Sequence, residues 1–118
     1  MMNFTVNGNE LVVNNKIVKF NYPIYKAQKF NDLLIVLLEF KSNYNPLDFT
    51  NALYAVSDSG NIVWKMEDVK RVLGKFEPHP LVNFTIWDGK LIAADFCSRK
   101  YTINPNNGTI IDMHVGRW

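Results

Sequence analysis

His79 and His114 are the only imidazoles in the chain, and Cys97 is the only thiol. Two histidines assisted by a lysine can form an acid–base pair of the ribonuclease type. Here nothing in the sequence brings the two together, and His79 is fixed between Pro78 and Pro80. Both read more simply as surface or turn histidines. Cys97 would need a neighbouring base and an electropositive setting to act as a nucleophile. A single cysteine makes no intramolecular disulfide and no cysteine metal cluster, so it reads as a structural thiol at a strand end. Glu67-Asp68 is a pair of adjacent carboxylates with some capacity for a cation, although such pairs are usually solvated. The chain has no glycine-rich phosphate loop, no Gly-x-Ser-x-Gly and no His/Cys cluster with ligand spacing. Two histidines and one cysteine leave little for a zinc site. Neither an enzyme, nor a metal, nor a cofactor is expected.

The bulk properties set the frame for these residues. At 118 residues, 47% hydrophobic and 20% charged, the chain suits one globular domain over 1–118. A net charge of +2 is too small to argue for nucleic acid, where a clustered basic face is expected. The opening MMNFTVNGNE lacks the basic region and apolar run of a signal peptide. The longest apolar run, Leu33–Leu38, is far short of a membrane span. The expectation is a cytoplasmic protein with no membrane contact.

Strand and turn signals dominate. Asn51–Met66 holds two runs of aliphatic and aromatic residues, Ala52–Ser57 and Asn61–Met66, around Asp58-Ser59-Gly60, which is a hairpin pattern. Met2–Val6, Glu10–Val13 and Lys16–Phe20 read as a three-stranded meander turned at Asn7-Gly8 and Asn14-Asn15. Pro23 ends it. Tyr25–Phe30, with Tyr25, Ala27 and Phe30 inward, turns at Asn31-Asp32 into Leu33–Phe40. That segment is apolar throughout and suits a central strand buried on both faces. Leu81–Trp87, Asp88-Gly89 and Leu91–Phe96 form another hairpin. Lys100–Asn104 and Thr109–Val115 form the last, around Pro105-Asn106-Asn107-Gly108. Asparagine occurs 15 times, much of it where the chain must turn. Trp64 is expected to pack between sheets. Val69, Val72 and Leu73 have helical spacing before Gly74, so at most one short helix is expected near 67–74. The class is all-β, with roughly nine or ten short antiparallel strands in blade-like sheets or a sandwich.

The chain also carries an internal repeat. Tyr54-Ala55-Val56-Ser57-Asp58-Ser59-Gly60 aligns with Tyr101–Gly108 with one extra turn residue. Asn61-Ile62-Val63 faces Thr109-Ile110-Ile111, and Leu33–Phe40 matches Leu91–Phe96. The stretch LYAVSDSGNIVWK resembles a blade of the quinoprotein-like β-propellers, whose repeats run from an aromatic-rich strand through Asp-x-x-x-Gly to a strand ending in Trp. YTINPNNGTII resembles the same pattern. The quinone and metal residues of that family have no counterpart here. An incomplete set of blades leaves sheet edges that invite pairing, so a monomer or a weak homodimer is expected.

The layout of hairpin, proline-containing linker, strand–Asp-Gly–strand and final NP-NG hairpin is similar to that of small bacterial immunity proteins of contact-dependent and polymorphic toxin systems. That resemblance implies a cytoplasmic protein that binds one cognate toxin C-terminal domain, a nuclease by expectation, and blocks its active site. Two irregular, amphipathic segments, Lys41–Thr50 and Glu67–Pro80, are the expected binding loops. Tyr44 or Phe49 would anchor in a pocket, and Asp48, Glu67 and Asp68 would meet the cationic residues that a nuclease turns toward phosphate. The alternative is a single-stranded nucleic-acid module, with Phe84, Trp87, Arg99, Lys100 and Tyr101 as a stacking platform.

Overall fold

A computed structural model describes residues 2–115. It contains eleven antiparallel strands in three sheets, against the nine or ten expected. Strands β1 (Phe4–Asn7), β2 (Glu10–Val13) and β3 (Lys16–Lys19) form a meander. Strands β4 (Ile24–Phe30), β5 (Leu33–Leu38), β6 (Leu53–Ser57) and β7 (Ile62–Lys65) form a four-stranded sheet. A second such sheet comprises β8 (Leu81–Trp87), β9 (Lys90–Asp95), β10 (Arg99–Ile103) and β11 (Ile110–Val115). In every sheet, neighbours in sequence are neighbours in space, which is the connectivity of propeller blades. A 3-10 turn spans Pro46–Phe49, and one α-helical turn, α1, spans Lys70–Leu73. Among the described residues no helix is long and apolar enough to cross a membrane.

The internal repeat is realised strand for strand. Leu33–Phe40 and Leu91–Phe96 supply the second strand of their sheets. Tyr54 and Tyr101 stand on the third, and Ile62 and Ile110 open the fourth. Turn chemistry decides the registers. Asn14 and Asn15 both take positive φ (47° and 71°), as do Asp88 and Gly89 (52° and 72°), the pair of conformations a two-residue hairpin of matching twist requires. The first turn lies one residue later than Asn7-Gly8 suggests. Asn7 pairs with Glu10, and Gly8 (φ 61°) with Asn9 makes the turn. A bulge between Ile24 and Lys26 rotates Tyr25 out of alternation, so it is exposed instead of inward.

The central sheet is covered on both sides. One core lies between the two four-stranded sheets and contains Ile35, Leu37, Leu53, Trp64, Phe84, Leu91, Tyr101 and Ile103. The other lies between the β4–β7 sheet and the first meander, with Leu11, Val13, Val18, Leu34, Val36, Leu38 and Phe49. Leu34 to Leu38 in β5 are all buried because they alternate between these two cores, as a strand apolar at every position should. Trp64 packs between sheets and donates its indole N–H to the carbonyl of Pro105 at 2.8 Å. Val69 and Leu73 seat α1, and Gly74 ends it at φ 60°.

Candidate functional site

Antiparallel order distributes the connections unequally between the two ends of the strands. In the β4–β7 sheet the tight turns at 31–32 and 58–61 leave from one end, and the connection 20–23 and the long segments 39–52 and 66–80 from the other. In the β8–β11 sheet the turns at 88–89 and 104–109 leave from one end, and the segment 66–80 and the turn at 96–98 from the other. Both segments singled out in the sequence therefore meet at one end, where Asn51 donates its side-chain amide to the carbonyl of Met66 at 2.9 Å. Exposed apolar side chains gather there too. Tyr25, Leu47, Val82 and Phe96 line the clefts at that end and are between 40% and 70% exposed.

Two clefts of about 250 Å³ each flank Leu38 at this end. The first is mostly apolar and runs between the neighbouring first strands of two sheets, lined by Tyr25, Phe40, Leu81, Val82 and Phe96. Lys26 holds those strands together. Its ammonium donates to the Phe84 carbonyl at 2.6 Å and sits 4.5 Å from the Phe84 ring centroid. The second cleft is polar, lined by Asn21, Tyr22, Asp48, Asn51, Tyr54 and Lys65.

The residues expected to bind divide into two groups. Asp48 and Asp68 are exposed. Asp48 accepts the Tyr22 hydroxyl at 2.7 Å, and this bond to a carboxylate raises the Tyr22 pKa. Asp68 accepts the Lys70 N–H at 2.9 Å and starts α1. The other three serve the scaffold. Phe49 is 0% exposed, with ring centroids of Tyr22, Phe40 and Tyr44 at 4.5, 5.3 and 5.6 Å. It cannot fill a partner's pocket, because the 3-10 turn that carries it folds back onto the core. Tyr44 lies stacked over Phe49 with an interplanar angle of 6°. Glu67 pairs with Arg71, and it accepts the Ile110 N–H at 2.8 Å. The Arg71 hydrogen bond first, and the Ile110 N–H second, hold its carboxyl down at about 2.

The nucleic-acid platform does not assemble. Phe84 and Tyr101 face the core at 1% and 0% exposure, whereas Trp87 is 62% exposed. Tyr101 donates to buried Asp95 at 3.1 Å, and Asp95 also pairs with Arg99 and accepts the backbone N–H groups of Cys97 and Arg99. Burial, then the Asp95 charge, pushes the Tyr101 pKa upward. His79 leads into β8 at one edge of its sheet, and His114 lies on β11 at the other. Among the described residues, no group of three or more His, Cys, Asp or Glu side chains is placed to hold a metal ion.

Sequence reasoning missed Tyr25 and Phe96 as surface side chains and Lys65 as part of a cleft. A strand bulge and a tight corner expose the first two. Only the polar partner across the strand, Tyr54 opposite Lys65, places the third. A family model described as Domain of unknown function (DUF7957) matches residues 1–115. No curated protein matches the chain.

Proposed function

We propose that this chain, which belongs to the DUF7957 family, is a cytoplasmic immunity protein that neutralises a cognate toxin domain by covering its active site. The observation that carries this reading is the gathering of four exposed apolar side chains and two adjoining clefts around Leu38, at the end of the β4–β7 sheet from which both long irregular segments leave. An apolar centre beside a charged rim is the usual anatomy of a specific protein interface. Asp48 supplies a carboxylate at that rim, Asp68 adds one on the adjoining segment, and Tyr25, Leu47 and Phe96 take the anchoring role first assigned to Tyr44 and Phe49. Three stacked sheets fix these groups in advance, which limits the entropy lost on binding.

The test is capture of the C-terminal domain of the protein encoded immediately upstream of this chain's gene, with co-expression of the two in a strain that this domain inhibits. One-to-one binding together with rescue of growth is the expected result. The absence of both binding and rescue would overturn the reading.

A further inference from the structure

We propose that the polar cleft beside Leu38 is a pocket for an arginine side chain of the protein partner, and that Lys65 occupies it in the free protein. The proposal rests on the reading that this end meets a protein. It adds the residue type that enters and the group that tunes entry.

Asp48 is the acceptor. One carboxylate oxygen takes the Tyr22 hydroxyl at 2.7 Å. That bond ties the 3-10 turn to the connection before β4 without neutralising the charge. The second oxygen, Oδ1, accepts no hydrogen bond among the described residues. Asn51 is likewise half used: its Nδ2 donates to Met66, which leaves its carbonyl oxygen to accept from a ligand. Tyr22, Tyr54 and Leu47 wall the same space with two rings and an aliphatic side chain.

A cation already stands at one wall of the cleft. The ammonium of Lys65 lies 5.6 Å from the Tyr54 ring centroid, within the range where a ring face attracts positive charge. Lys65 is a weak occupant: it is exposed, and an ammonium is a compact, strongly hydrated charge. A guanidinium is planar, stacks on a ring, and offers donors in a fork that fits a carboxylate and a nearby amide oxygen. An entering arginine would displace Lys65 and keep its stem against Leu47 and the rings. A neutral polar ligand would instead use Lys65 as a donor. The two kinds of ligand therefore respond to loss of Lys65 with opposite sign.

The experiment is an NMR titration of the intact protein with Nα-acetyl-arginine-N-methylamide, read at the side-chain amides of Asn21 and Asn51. The neutral citrulline analogue serves as the comparison. Saturable shifts with the arginine probe are expected. Lys65→Met should bind it about threefold more tightly. Asp48→Asn keeps an oxygen for the Tyr22 hydroxyl but loses the charge, and should bind about tenfold more weakly, the scale of one charge-assisted hydrogen bond. Equal binding of the citrulline analogue, an unchanged Asp48→Asn, a weakened Lys65→Met, or no saturable shift would each overturn the pocket. The toxin plays no part in this titration. A protein that takes up the probe yet captures no toxin domain overturns the immunity reading alone.

Discussion

The carboxylate of Glu67 accepts the backbone N–H of Ile110 at 2.8 Å, so a side chain from the segment after β7 supplies a hydrogen-bond partner where β11 begins. The Glu67 N–H donates to the Gly108 carbonyl at 2.9 Å, and Arg71, paired with Glu67, donates to the Ile110 carbonyl at 2.8 Å. Three polar groups of one segment thus cover the start of an edge strand, where unpaired backbone would otherwise face another chain.

Acid should weaken this clasp. The Glu67 carboxyl is held at about 2 in the folded protein against 4.5 for a free side chain. A lowered carboxylate pKa adds stability that is complete above the unfolded value and is lost as pH falls through the folded one. Glu67→Gln should cost about 1–2 kcal/mol at neutral pH, the scale of a hydrogen bond to a charged group. Denaturant unfolding of both proteins should show that difference closing between pH 4.5 and about 2. A difference constant across that window would mean that the carboxylate charge is not what holds the segment.

Gly108 and Gly89 make a matched pair. Both have positive φ, 79° and 72°, so alanine is strained at either position by about 1 kcal/mol. A Cβ at Gly89 meets nothing within 4 Å, whereas at Gly108 it would lie 2.6 Å from Cε3 of Trp64. The indole cannot retreat without losing its hydrogen bond to Pro105. Gly108→Ala should therefore cost at least about 2 kcal/mol more than Gly89→Ala, since overpacking adds to the backbone strain. Comparable midpoints in thermal unfolding would show that Trp64 has room to move.

How much of this could be read from the chain follows from the range of each signal. Asn14-Asn15 and Asp88-Gly89 announce their turns because two adjacent residues able to take positive φ leave one short geometry. Leu33–Leu38 announces a strand buried on both faces because it has no polar position. Asn7-Gly8 misleads by one residue, since a glycine suits more than one place in a hairpin turn. The fate of Phe49 is not legible at all. Whether an aromatic in a polar loop points outward depends on Tyr22 and Phe40, which reach it from other elements. The same holds for Glu67, whose partner Ile110 lies 43 residues away. Side chains whose role is set by contacts between sheets are the ones local pattern misplaces.

Asp95 should be the most sensitive polar position. It is 2% exposed and serves Cys97, Arg99 and Tyr101 together. Asp95→Asn retains shape but leaves the Arg99 guanidinium, whose side chain is only 12% exposed, without its counter-charge. Breaking one half of a buried pair costs about 3–5 kcal/mol. Tyr101→Phe removes one donor and should cost about 1 kcal/mol. Equal losses in chemical denaturation would mean that the Arg99 charge is not what Asp95 compensates.

Phe49 and Phe96 separate scaffold from surface. Phe49→Ala empties a fully buried site and should cost about 3–5 kcal/mol of stability. Any loss of toxin binding should then follow the fraction unfolded. Phe96 is 70% exposed at the mouth of the apolar cleft, so Phe96→Ala should change stability by less than about 0.5 kcal/mol. If that cleft seats the partner, the same substitution should weaken capture by at least about tenfold, or about 1.4 kcal/mol. Calorimetric titration of folded Phe96→Ala against the toxin domain decides the matter. Wild-type affinity there would move the interface away from the apolar cleft and toward the side that carries Asp48.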